Sequence, residues 1–245
     1  MIQIQQLTAN PVEEAALFLT AALVAQLKGN KRVLFLVSGG SALHVYQKMG
    51  QLWPKDVDLS GLKLGLVDER FVPMGDKDSN EQQLREAGVV KWFEEQGATF
   101  FGVLHSLKKK SGQELALQAN EKYFQVLSET DVSIISLGMG DDGHTAGILP
   151  MQSGPGFMQM FNGEELVTFY EVQEQDSANP FRQRITITLP MIREADLVML
   201  YATGEKKRAA LAELLQEKLL NPKFPVSVLQ ERQKPTIVLT DLQLT

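Results

Sequence analysis

Apolar residues occur along the chain in two patterns, unbroken short runs and stripes of helical spacing. Residues 33–37 (Val-Leu-Phe-Leu-Val), 132–135 (Val-Ser-Ile-Ile) and 197–201 (Leu-Val-Met-Leu-Tyr) are runs with at most one polar interruption. Such runs predict strands buried on both faces, as a helix-covered parallel sheet requires. Further strands are predicted over residues 2–7, 62–67, 165–172, 184–189 and 236–239, and a weaker one over 99–103. Between them, residues 11–28 place Ala15, Leu19, Ala22, Leu23 and Leu27 on one helical face. Asn10 caps that helix, Pro11 sits in its first turn and Gly29-Asn30 ends it. Helices are also predicted over 42–49, from Ser79-Asn80 to about 90, over 112–127 behind Ser111, and over 145–149. Others cover 190–194, the stretch from 203–207 to about 220, and 226–229. Residues 152–163, rich in Met, Gly and Phe without a period, read as a mobile loop. The steady strand–helix alternation predicts an α/β fold: a three-layer, doubly wound, mainly parallel sheet with helices on both faces, in one domain spanning residues 1–245.

Composition narrows the function. The net charge of −6 argues against non-specific nucleic-acid binding, although a local basic pocket can still hold an anion. With no cysteine in the chain, disulfides, thiolate metal sites and a Cys nucleophile are excluded. The first residues lack the basic-then-apolar pattern of a secretory signal, and no uncharged apolar run reaches membrane-spanning length, so a cytoplasmic protein is expected. The histidines, His44, His105 and His144, are too scattered to suggest zinc. His44 reads as a surface residue, and His105 receives no role.

Three stretches carry candidate chemistry. After the run ending at Val37 stand Ser38, Gly39, Gly40 and Ser41, a strand-to-helix turn able to offer backbone N–H groups to a phosphate, or simply a turn. It is neither a dinucleotide fingerprint nor a Walker loop. Asp68, Glu69 and Arg70 follow the 62–67 strand, where open α/β sheets place ligands, although an exposed charged turn would look the same. Residues 136–150, SLGMGDDGHTAGILP, pack three glycines around Asp141 and Asp142 and then deliver His144. That turn is placed for chemistry, or it is a tight turn whose histidine bonds only to backbone.

These stretches, in this order, resemble the 6-phosphogluconolactonase family within the wider glucosamine-6-phosphate deaminase/lactonase superfamily. The matching motifs are SGGS (38–41), DERFVP (68–73) followed by Ser79-Asn80, and GMGDDGHTA (138–146). Arg184 before an Ile-Thr-Ile-Thr strand and Lys207 after Gly204 are weaker matches. Deaminases typically carry DEY where this chain has Asp68-Glu69-Arg70, and a histidine-supporting glutamate where it has Leu149. Both differences point to the lactonase branch. The chain departs from the usual SGGSTP in having Ala42-Leu43, which bears on loop rigidity rather than chemistry.

The resemblance implies hydrolysis of 6-phospho-D-glucono-1,5-lactone to 6-phosphogluconate. No residue set resembles a metal cage or a serine nucleophile elbow, so direct attack by water without cofactor or metal is expected, in a monomer or weak homodimer. His144 would be the base that activates water, since an imidazole titrates near neutral pH. Asp142 would orient that ring or hold its turn. Ser38, Gly39, Gly40 and Ser41 would take the phosphate, with Arg184 and Lys207 supplying charge. Arg70 would meet either the phosphate or the developing oxyanion, and Asp68 and Glu69 would fix Arg70 and its loop. The alternatives are an aminosugar-phosphate deaminase and a non-catalytic sugar-phosphate-binding module.

Overall fold

A computed structural model describes residues 2–104, 110–151, 155–172, 179–216 and 219–243. Its main sheet has seven strands, all paired in parallel: β1 (Ile2–Gln6), β2 (Val33–Val37), β3 (Leu62–Leu66), β5 (Thr99–Phe100), β6 (Val132–Gly138), β9 (Leu197–Tyr201) and β10 (Thr236–Thr240). Their order is β1-β10-β9-β6-β2-β3-β5. Every residue of β2 is buried, as its unbroken apolar run requires.

The helices are α1 (Pro11–Lys28), α2 (Leu43–Leu52), α3 (Asn80–Glu86), α4 (Val89–Glu95), α5 (Gly112–Ser128), α6 (Pro155–Phe161), α7 (Leu189–Glu194) and α8 (Arg208–Gln216). Their starts follow the expected chemistry. The Asn10 side chain accepts from the Glu13 N–H, and Ser111 and Glu114 form a reciprocal capping box. One contiguous apolar cluster, from Leu7 to Leu242, unites the elements.

Several expectations are corrected. The 62–67 strand does not simply end in a charged turn. The chain bends at Val67 into β4 (Asp68–Arg70), which joins β8 (Gln183–Ile187) and β7 (Val167–Glu171) in a second, antiparallel sheet. Residues 145–149 form no helix, because Ala146 and Gly147 take left-handed φ angles of 51° and 65° and fold them into a tight turn. The helix expected from Ser79 to 90 is broken by Gly88, at φ 73°, into α3 and α4. The helix expected from Ala42 begins as a 3₁₀ turn, Gly40–Ala42. In the segment read as a loop, 152–154 lie outside the described residues, but Pro155–Phe161 is helical and buries Phe157 and Phe161. His105 also lies outside the described residues.

Candidate active site

The site follows from strand order. From β2 the chain winds outward through β3 to β5, and from β6 it winds the other way through β9 to β10. Adjacent strands β2 and β6 therefore send their following loops apart, leaving a crevice at their carboxyl ends. The Ser38–Ser41 turn leaves β2 on one side of it, and the turn carrying His144 leaves β6 on the other. A cleft of about 470 Å³ opens there. Every expected site residue lines it except Glu69, which is buried beside it, and Asp142, which stands behind His144.

His144 is held through its ring. Nδ1 lies 2.6 Å from Asp142 Oδ1, and the His144 backbone N–H donates to the same oxygen at 3.0 Å. An ionised carboxylate only accepts, so Nδ1 carries the proton and the Nε2 lone pair is left for the cleft. Asp142 thus makes a contact of each kind the sequence left open, one to the ring and one to the backbone of its turn. Burial raises the Asp142 carboxyl, but the hydrogen bond it accepts from the His144 ring leads the opposing effects, the bond from the His144 backbone among them, which together hold it below its ordinary value. Gly140 is needed beside this pair, because a Cβ there would overlap the ring and the carboxylate.

The second sheet braces the turn after His144. Thr186 of β8 donates to the Ala146 carbonyl, and Tyr170 of β7 donates to the Gly147 carbonyl. The Leu149 N–H returns to the Tyr170 oxygen at 3.1 Å. Leu149, where the resemblance would put a glutamate in deaminases, is wholly buried.

The same sheet brings the arginines in. Arg70 and Arg184 stand directly opposite each other on β4 and β8. Arg184 Nη1 donates to Asp68 Oδ2 at 2.8 Å, with both side chains buried, and Arg184 Nε donates to the Phe181 carbonyl at 3.1 Å. The expectation that Asp68 fixes Arg70 is corrected: its partner is Arg184. Arg184 accordingly enters the cleft with its charge already matched.

Arg70 donates from Nη1 to the Asp78 carbonyl at 2.8 Å and lies over the Phe181 ring, 4.5 Å from its centroid. Its Nε is buried without a partner. Burial and the Arg184 charge both lower its pKa, a strain that a bound anion would relieve. Glu69 touches Arg70 only through the backbone N–H, at 2.7 Å. It is fully buried and also accepts from Ser79 Oγ and from the N–H groups of Asn80 and Glu81, all within 2.9 Å. Burial pushes the Glu69 carboxyl up to about 7 against those hydrogen bonds.

Asn80 is the cleft residue whose role sequence reasoning missed. Its Nδ2 donates to the Asp68 carbonyl at 2.9 Å, and its side chain lies so close to Gly39 that a Cβ there could not fit. The signal was present in Ser79-Asn80 after DERFVP, whose co-occurrence the Glu69 hydrogen bonds explain. Lys207 ends a 3₁₀ turn, Glu205–Lys207, entered through Gly204 at φ 87°. Among the described residues no three His, Asp or Glu side chains converge as a metal cage.

Comparison with known proteins bears on the family and the fold. The sequence model of the glucosamine-6-phosphate isomerases/6-phosphogluconolactonase family matches residues 8–238. A 6-phosphogluconolactonase of Caulobacter vibrioides is 30% identical over 234 residues, covering 92% of this chain and 91% of that protein. The crystal structure of a 6-phosphogluconolactonase from Shewanella baltica superposes with a TM-score of 0.77 at 23% identity, covering 98% of this chain and 97% of that one. A monomeric glucosamine-6-phosphate deaminase superposes nearly as well, TM-score 0.73 at 18% identity, over 98% and 96% of the two chains. The fold is thus shared by both chemistries.

Proposed function

The chain belongs to the glucosamine-6-phosphate isomerase/6-phosphogluconolactonase family, and on that premise we propose how its cleft hydrolyses 6-phospho-D-glucono-1,5-lactone. His144 Nε2 takes a proton from water as the oxygen attacks the lactone carbonyl. The tetrahedral intermediate collapses with cleavage of the bond to the ring oxygen, and the imidazolium returns its proton to that oxygen. The product is 6-phosphogluconate. Asp142 keeps the ring in the tautomer this needs and offsets the imidazolium charge; positioned base catalysis of this kind supplies about two to four decades.

The phosphate rests on the first N–H groups of the Gly40–Ala42 turn, which have no acceptor within the turn. Lys207 supplies its charge. Arg70, with Nε unpaired, is the second cation for substrate oxygens, while Arg184 acts by holding Asp68. A deaminase is not favoured, because Asp68 is committed to Arg184 and an apolar Leu149 cannot support an imidazole.

The contiguous core supports the expectation of one domain over residues 1–245. The reading describes a cytoplasmic monomer or weak homodimer with no nucleic-acid partner; no described helix is long and apolar enough to cross a membrane. The observation that carries it is the Asp142–His144 pair facing the Ser38–Ser41 turn across one cleft. The test is a coupled assay in which glucose-6-phosphate dehydrogenase makes the lactone and 6-phosphogluconate dehydrogenase reports product, corrected for spontaneous opening. His144→Ala should lose at least a hundredfold in kcat while still binding 6-phosphogluconate. Equal loss of both would make His144 a binding residue.

A further inference from the structure

Beneath the cleft runs a hydrogen-bond chain that none of these steps uses. Tyr46 of α2 is 1% exposed, with its ring edge-on to Phe35 at 6.1 Å. Its hydroxyl donates to Ser136 Oγ at 2.9 Å and accepts the Ser38 backbone N–H at 3.2 Å, with Ser38 Oγ 3.4 Å away. Ser136 pairs in register with Val37, so the phenol joins β2 and β6 where their loops part. A phenylalanine would fill the same space. A buried hydroxyl is costly unless bonded, and the bonds of this one go to Ser38, where β2 opens into the anion turn, and to Ser136 of β6, the strand that leads to the base.

We propose that Tyr46 is a positioning residue for lactone hydrolysis, setting the span between the Ser38–Ser41 turn and His144. The inference rests on the hydrolase reading above. Burial keeps the phenol protonated, and its single proton goes to Ser136, so toward the Ser38 N–H it only accepts. Without that oxygen the Ser38 N–H is orphaned next to the phosphate site, and the turn shifts to re-pair it. A phosphate held on a shifted turn carries the lactone carbonyl away from His144. Misplacement by about 1 Å costs up to about a hundredfold in rate.

Tyr46→Phe in the full chain tests this. The ring is retained, so the variant should fold with a cooperative transition. Its kcat in the coupled assay should fall at least tenfold, while KM and the dissociation constant for 6-phosphogluconate stay within threefold. Amide exchange at residues 38–41 should be at least tenfold faster. Ser136→Ala should lose less, and the double variant should be no slower than Tyr46→Phe alone, because both substitutions cut one chain. A kcat within twofold of the unaltered enzyme, unchanged exchange, or losses that multiply would overturn the inference. If the unaltered chain does not hydrolyse the lactone, the functional reading falls as well, which separates that failure from this one.

Discussion

Replacing Asp142 separates its two contributions, geometry and charge. One oxygen, Oδ1, serves both the His144 ring at 2.6 Å and the His144 backbone N–H at 3.0 Å. Asparagine can put its carbonyl in that place and keep both bonds, losing only the charge; alanine loses everything. A net charge-assisted hydrogen bond contributes about 1.5–3 kcal/mol and a neutral one about 0.5–1.5. The side chains of His144 and Asp142 are 33% and 45% exposed, which favours the lower halves of these ranges through solvent screening. Asp142→Asn is therefore expected to cost about 1 kcal/mol, or roughly fivefold in kcat, and Asp142→Ala about 1.5–2.5 kcal/mol, roughly ten- to seventyfold. KM should move little in either, because Asp142 does not line the cleft. The coupled dehydrogenase assay reads both constants, with thermal denaturation confirming that the turn still folds. The reasoning is refuted if Asp142→Ala retains kcat within twofold, or if the asparagine variant is the slower of the two.

Lys207→Ala should raise KM for the phosphorylated lactone about tenfold, the low end of a lost charge-assisted contact, and leave hydrolysis of unphosphorylated gluconolactone unchanged. An equal effect on both substrates would remove Lys207 from the phosphate. Gly147→Ala adds a Cβ at φ 65° that overlaps the Asp68 carboxylate; a loss of at least about 2 kcal/mol is expected in urea unfolding, and an unshifted midpoint would contradict the packing. Glu69 has its folded-state pKa raised from 4.5 to about 7. An acid so shifted binds its proton more tightly when folded, so stability should fall as pH rises from about 4.5 to about 7 and then level off. The swing is on the order of 3 kcal/mol. Glu69→Gln should flatten the urea midpoint across that window, and an undiminished slope would assign the titration to another group.

What was legible in the sequence is what is decided locally or by simple burial. The β2 run, the Asn10 and Ser111 caps and the strand–helix alternation state their own structure, and the alternation predicted the main sheet. The turn after His144 did not, because Thr145-Ala146-Gly147-Ile148 has helix-compatible residues. Its left-handed bend is held by Thr186 and Tyr170, and the Asp68 carboxylate packs where a side chain on Gly147 would go, all distant in sequence. Pairing of the charges failed for the same reason: Asp68 and Arg70, two apart on β4, share a face, but β8 brings Arg184 from a distant part of the chain to that face, and it takes the Asp68 carboxylate. Asn80 reads as an ordinary helix start until Glu69 is seen holding that start against the cleft. Tyr46 carries no signal in the sequence, since only the fold reveals what its oxygen meets.

The short pairing of β4 with β8 acts as a ruler for the cleft. Arg70 faces Arg184, and Asp68 faces Thr186. A slip of one residue along β8 would bring Gln183 or Ile185 to the arginine's place and turn the guanidinium away. Descendants of this chain can therefore lengthen the surface loops around the small sheet freely, but an odd-numbered insertion within residues 183–187 would leave the buried Asp68 carboxylate without its arginine at a stroke.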